Sequence, residues 1–324
     1  IISNISYLDY ADVINYYAGM MLDDADLIGK LQDRILPYLS SHSDLGNLFE
    51  VDSIKLELGI PEDQVKTTIA STKQLSTEEK DTLTDTPDTS ESYAPTKYKA
   101  NIHYNENMTF ALTVELLGRV LKSSEELENA TKQEALQIFI SSCLVLWKQF
   151  RESVLSFASK INEEIIASQK EDSNESLKDS MDKAYSDFCD ILKLCVPLAM
   201  SSFIFECVGT EKMRLIFNDY YSKQSYSSPE KLLLLMLLCD LKVPGWAAKL
   251  QDYIKNTSKK DFLWVIFFKC QYCLQFNYFG DETPKIIEPM AECYIKVNSL
   301  NKLAKSKIIG ELSQKTRLLD NKKE

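Results

Sequence analysis

Residues 132–168, KQEALQIFISSCLVLWKQFRESVLSFASKINEEIIAS, contain neither glycine nor proline. Apolar residues recur through the stretch at three- and four-residue spacing, which sets one stripe along a helix, and no strand approaches this length. The segment predicts a single helix of roughly 50 Å, or two helices meeting at an unmarked bend.

The rest of the chain obeys the same constraint. There are nine glycines and nine prolines in 324 residues, too few to supply the turns of a β-protein of this size. Those present act as punctuation. Gly209-Thr210, Ser228-Pro229, Pro244-Gly245, Gly280-Asp281 and Thr283-Pro284 each separate periodic segments, as helix stops and starts do. They bound expected helices at 198–208, 210–223, 229–241, 245–256, 260–279, 284–298 and 300–319. Pro197 marks the expected end of the preceding helix, which begins near Leu177, and MTFALTVELLGRVL at 108–121 is another.

Upstream, Ile5, Leu8, Val13, Ile14, Tyr17 and Met20 form one helical stripe, and Leu27, Leu31, Ile35, Leu36 and Leu39 form a second beyond the polar DDAD at 23–26. Further helices are expected over Leu45–Leu58 and after Pro61. Each is amphipathic, so none can bury its stripe without a neighbour. The predicted fold is all-α, an irregular stack of antiparallel helix pairs. In architecture it resembles an α-solenoid of the HEAT type over residues 105–319, although no repeat of fixed period and no diagnostic repeat residue occurs.

Three regions are expected: N-terminal helical hairpins over 1–70, a flexible loop or linker over 71–100, and a helical-repeat-like domain over 101–324. Residues 71–100, STKQLSTEEKDTLTDTPDTSESYAPTKYKA, hold too few apolar side chains to offset the entropy of ordering. Ser76 and Thr82 have an acid three residues on and Thr86 precedes Pro87, which makes these three the candidate phosphorylation sites. The chain opens Ile1-Ile2 without an initiator methionine, as a fragment or processed chain would.

Net charge is −11, opposite to the clustered lysine and arginine that phosphate backbones require, so direct nucleic-acid binding is not expected. The charge is uneven. From Lys285 onward, nine Lys/Arg face five Asp/Glu, a local +4, which leaves −15 for the rest. Lys302, Lys305 and Lys307 are the candidate docking lysines of that basic end, and Trp246, beside Pro244-Gly245, is the candidate aromatic anchor. The apolar runs LLLLMLLC at 232–239, between Lys231 and Asp240, and FLWVIFF at 262–268, stopped by Lys269, are both shorter than a bilayer crossing needs. No membrane span is expected.

The one motif that looks like chemistry is KCQYC at 269–273. Cys270 and Cys273 have the spacing of a zinc half-site or a redox dithiol. A structural zinc needs a second pair, and the nearest, Cys189 and Cys195, is spaced too widely, while the two histidines, His42 and His103, stand far upstream. A redox pair belongs at a helix N-terminus after a strand. Here Phe262, Val265, Ile266, Cys270, Cys273 and Leu274 share a helical stripe, which assigns both thiols to core packing and leaves them weak metal candidates. No cofactor is implied. Eight cysteines without close crowding suit a reducing compartment, cytosol or nucleus.

No GxxxxGK[ST], GxGxxG, HExxH or GxSxG motif occurs. The expected function is that of a non-catalytic scaffold or adaptor that binds other proteins as a subunit of a larger intracellular complex, with no small-molecule substrate. The alternatives are a helical lyase- or synthase-like enzyme with a dispersed acidic site, for which DDAD at 23–26 is the nearest array, and a helical nucleic-acid-binding repeat protein.

Overall fold

A computed structural model describes residues 25–46, 48, 105–124, 127–168, 175–275, 282–301 and 304–320. All of them fall in one compact unit, comprising Ile1–Ile54 and Tyr104–Glu324; a second unit spans Lys55–His103. The described residues form helices without strands. In chain order these are α1 (Ala25–Ser41), α2 (Glu106–Ser123), α3 (Asn129–Ser168), α4 (Glu175–Val208), a single 3-10 turn (Glu211–Met213), α5 (Arg214–Lys223), α6 (Pro229–Asp240), α7 (Trp246–Asn256), α8 (Lys260–Gln275), α9 (Thr283–Val297) and α10 (Lys305–Asp320).

Helix α1 packs against α2 and α3, in the same unit as the residues downstream of 104. Its buried face is Leu27, Ile28, Leu31, Ile35 and Tyr38. Leu27, Leu31 and Ile35 of the expected stripe are on that face, while Leu36 is 41% exposed, because the three- and four-residue steps from Ile28 run through 31, 35 and 38. Tyr38 ties the three helices together. Its ring stacks on Phe110 at 4.1 Å, its hydroxyl donates to Asn107 Oδ1 at 2.6 Å, and it accepts from Gln149 Nε2 at 2.5 Å.

Helix α2 starts at Asn105, whose side chain accepts from the Met108 N–H at 2.9 Å and so satisfies one of the free donors of the first turn. Gly118 lets α2 approach closely. A Cβ there would lie 2.7 Å from Cys207 Cβ on α4 and 2.7 Å from the Phe139 ring on α3. Helix α3 is one continuous element of 40 residues. It runs antiparallel to α4, since Phe139 stacks with Phe203 while Ser159 meets Tyr185.

Helix α4 corrects an expectation. It continues through Pro197 to Val208, although that proline removes the hydrogen bond to the Lys193 carbonyl and costs about 3 kcal/mol. Leu194, Val196, Met200, Ile204, Cys207 and Val208 around it are all buried. Each large apolar side chain among them contributes about 1.5–3 kcal/mol, so burial outweighs the lost bond. The uninterrupted stretch Asp182–Val208 contains an 18-residue window of mean hydropathy 1.8, enough by length and composition to cross a membrane, with 44% of the window buried. The expectation of no membrane span considers the apolar runs at 232–239 and 262–268, whereas α4 is the helix that passes the length-and-composition test. In this fold α4 packs against α2, α3, α6 and α8.

Helix α6 begins with Ser228 accepting from the Lys231 N–H, and with Pro229 in the first turn, where a missing N–H is harmless. Every residue from Lys231 to Cys239 is buried. A helix apolar on all sides needs cover on all sides, and α3, α4, α5, α7 and α8 supply it. Gly245, at φ +77°, turns the chain into α7, a conformation that favours glycine. Helices α8, α9 and α10 pack in sequence, with α7 also against α9.

Candidate functional site

Two places in the described residues collect polar chemistry. The first is a cavity of about 360 Å³ where the end of α2, the start of α3 and the 3-10 turn meet, lined by Leu121, Lys122, Ser124, Lys132, Thr210, Lys212 and Met213. Three ammonium groups and two hydroxyls with no carboxylate form a lining suited to an anion. The donors are already occupied, however. Lys122 donates to the Glu206 carbonyl at 3.0 Å, and Ser124, Lys132 and Lys212 each have interactions of their own.

The second is the junction of α4, α6 and α8. The apolar run of α6 ends in Asp240, and the apolar run of α8 is interrupted at Lys269. Packing the two helices together brings these charges into contact. Lys269 Nζ lies 2.7 Å from Asp240 Oδ1 and 2.9 Å from Oδ2, with side chains only 9% and 14% exposed. Ser201 of α4 donates to Asp240 Oδ2 at 3.2 Å, so three helices meet at one carboxylate.

Burial raises the Asp240 carboxyl above its ordinary range, opposed by the Lys269 ammonium and the Ser201 hydroxyl. Burial pulls the other way on Lys269, but the Asp240 carboxylate overrides it and holds the ammonium above its ordinary 10.5. The attraction within the pair keeps the lysine charged.

The ion pair organises the cysteines beside it. Cys239 precedes Asp240 and Cys273 lies one turn beyond Lys269, so the helix contact that joins the ion pair also places the two thiols near each other. Burial, and after it the neighbouring Cys273 thiol, pushes Cys239 well above the ordinary thiol value of 9.0. Cys273 is lowered, first by the neighbouring Cys239 thiol, against the opposing effect of burial, and then by the nearby Lys269 ammonium. Cys270 is fully enclosed and pushed well up by burial.

Cys270 and Cys273 therefore do lie on the buried face of α8, at 0% and 3% exposure. No group of three or more His, Cys, Asp or Glu side chains arranged to hold a metal occurs among the described residues. Cys273 has not only its CxxC partner nearby but also Cys239, which no sequence spacing connects to it. The available signal was electrostatic: Asp240 and Lys269 are opposite charges that each interrupt an apolar run.

Trp246 is turned inward rather than outward. It is 3% exposed and its indole N–H donates to the Leu235 carbonyl at 2.8 Å, pinning α7 to α6. Lys305 is engaged internally, 2.7 Å from both Glu288 and Glu292 of α9. Lys307 remains solvent-facing, 83% exposed and 3.9 Å from Glu311. Lys302, Ser76, Thr82 and Thr86 lie outside the described residues. Of DDAD, Asp26 pairs with Lys30 at 2.5 Å in the first turn of α1, while Asp23 and Asp24 lie outside the described residues. His42 stacks on Tyr38 at 4.1 Å, its Nδ1 3.0 Å from the Tyr38 carbonyl at the end of α1; His103 lies outside the described residues.

No family model, curated protein or solved structure matches the chain.

Proposed function

We propose that the chain is a non-catalytic helical scaffold or adaptor subunit that works by binding other proteins, its antiparallel helix pairs stacked as an irregular α-solenoid. The observation that carries this reading is a stripe on the second half of α3. Phe150, Phe157 and Ile161, spaced by seven and then four residues, share one face and are 47%, 66% and 39% exposed. Phe188 and Ile191 on the first half of α4 are 48% and 50% exposed. Large apolar side chains exposed in rows, rather than singly, mark surfaces that partners cover.

The contact order supports the stacked arrangement. Most helix contacts join elements one or two apart along the chain, as stacked pairs do. Helix α6 packs against five neighbours, more than a helix of a regular repeat array touches. The described cysteines are free thiols, which fits a reducing compartment, cytosol or nucleus.

The test is capture of the tagged full chain from its native cell at low and moderate salt, beside a Phe157→Ser/Phe188→Ser variant. A stoichiometric partner lost by the variant, at unchanged helicity and denaturation midpoint, supports the reading. Wild-type chain recovered monomeric and without a partner overturns it.

A further inference from the structure

We infer that the exposed apolar face of the α3–α4 pair is a self-association surface, on which a second copy of this chain lays its own α3–α4 pair to close a four-helix bundle. The inference rests on the reading of that face as an interaction surface and names its occupant.

The face is more regular than its five large side chains show. On α3, Phe150, Val154, Phe157 and Ile161 run at steps of four, three and four residues, and on α4 Ala184, Phe188, Ile191 and Cys195 repeat the same steps. Val154 is half-buried; Ala184 and Cys195 are exposed like the rest. This is the spacing of helices that pack side chains into the gaps of a facing helix. Carried along both helices from the Phe139–Phe203 stack, the antiparallel register sets Phe157 within a turn of the level of Phe188, and Val154 within a turn of Ile191.

Both seams lie on one side of the pair. The sides that α3 and α4 turn to each other carry the half-buried Leu155 and buried Ala158 on α3, and the half-buried Tyr185, Cys189 and Leu192 on α4. Each exposed seam stands one residue earlier, about 100° round its helix. Because the helices run in opposite directions, the same backward step turns both seams the same way.

Area and charge select a second copy as the occupant. Phe150, Phe157, Ile161, Phe188 and Ile191 leave 39–66% of their surface open, about 500 Å² in all at about 200 Å² for each fully exposed side chain. Two copies would therefore bury about 1,000 Å² through these five alone, which reaches the size a specific interface needs. The chain carries −11, yet over 148–163 and 182–193 five Lys/Arg balance five Asp/Glu. An acidic chain meets itself here without net repulsion. A twofold axis along the pair lays α3 of one copy over α4 of the other and keeps every residue at its level. Exposed Lys160, beside Ile161, then stands level with exposed Asp187, beside Phe188, of the other copy.

The experiment follows the mass of the purified full chain against concentration by sedimentation equilibrium. Wild type is expected as a dimer that dissociates on dilution. Phe157→Ser and Phe188→Ser should each weaken it at least about tenfold at an unchanged circular dichroism spectrum, whereas Leu215→Ser on α5, at a side chain 76% exposed, leaves it intact. Lys160→Asp should weaken the dimer severalfold, and Lys160→Asp/Asp187→Lys should restore it, because the reversed charges meet again in both contacts. A wild type monomeric at every concentration, or a dimer indifferent to both phenylalanine substitutions, overturns the inference. A monomer that floats with phosphatidylserine vesicles overturns it in favour of a lipid surface. A monomer that still captures a different protein overturns the second copy and leaves the adaptor reading standing.

Discussion

Lys296 Nζ on α9 lies 2.6 Å from the carbonyl oxygen of Ile254 at the end of α7, and the same ammonium reaches Thr257 O at 2.7 Å and Lys255 O at 3.1 Å. A helix ends with carbonyls that have no partner within it, and a cation there satisfies them and complements the dipole. Charged hydrogen bonds of this kind contribute about 1.5–3 kcal/mol. Lys296→Met should therefore lower stability by about 1–3 kcal/mol in urea denaturation. A variant equal to wild type would show that water replaces the ammonium without cost.

The buried pair predicts an asymmetry between single and double substitution. Lys269→Met leaves the Asp240 carboxylate in a largely buried site without the ammonium that faces it at 2.7 Å, and should cost about 3–5 kcal/mol. Asp240→Leu/Lys269→Met removes both charges and should recover most of that loss. Denaturation of the two variants side by side measures it, and equal losses would refute the coupling.

Gly118 sets two effects against each other. Alanine in its place would gain up to about 1 kcal/mol of helix propensity. Its Cβ would lie 2.7 Å from Cys207 Cβ, which cannot swing away as a long side chain could. Overpacking of a core costs about 1–3 kcal/mol, so Gly118→Ala should be net destabilising, seen as a lower melting temperature. A stabilised variant would mean that α2 shifts freely against α4.

Alkaline pH should unfold the chain before its lysines discharge. Burial pushes Cys207 from its ordinary 9.0 up to about 12, and Tyr220 from 10.0 up to about 12. A folded-state pKa raised above the unfolded value leaves stability intact below the unfolded value and removes it as pH climbs toward the folded one. The loss should begin near pH 9 with the thiols and steepen above pH 10 with the phenols. Each pH unit of the gap costs about 1.4 kcal/mol per group. Denaturation midpoints measured from pH 7 to 11 check the sign, which a flat profile would contradict.

The helices were legible because their boundaries are local. Ser228-Pro229 named the start of α6 correctly, since the capping hydroxyl and the proline act within one turn. Pro197 misled because its outcome depends on burial by other helices, which the flanking residues do not reveal. Trp246 and Lys305 looked like surface anchors for the same reason: their partners, the Leu235 carbonyl and the α9 carboxylates, are 11 residues and 13 to 17 residues away. The juxtaposition of the Cys239 and Cys273 turns of α6 and α8 was the least visible. Its warning lay in Asp240 and Lys269, read first as the ends of apolar runs and found to be each other's partner.

The position of α6 in the chain has a consequence for biosynthesis. Its cover comes from helices on both sides in sequence, α3 and α4 before it and α7 and α8 after it. A ribosome releases α3 and α4 well before Leu232–Cys239 emerges, and translation runs at about 5–20 residues per second. For roughly 2–6 s after Val208 is made, the face of α4 that packs on α6 stands without that helix. Synonymous codons that slow translation between 208 and 229 lengthen that interval and should lower the soluble yield of the chain.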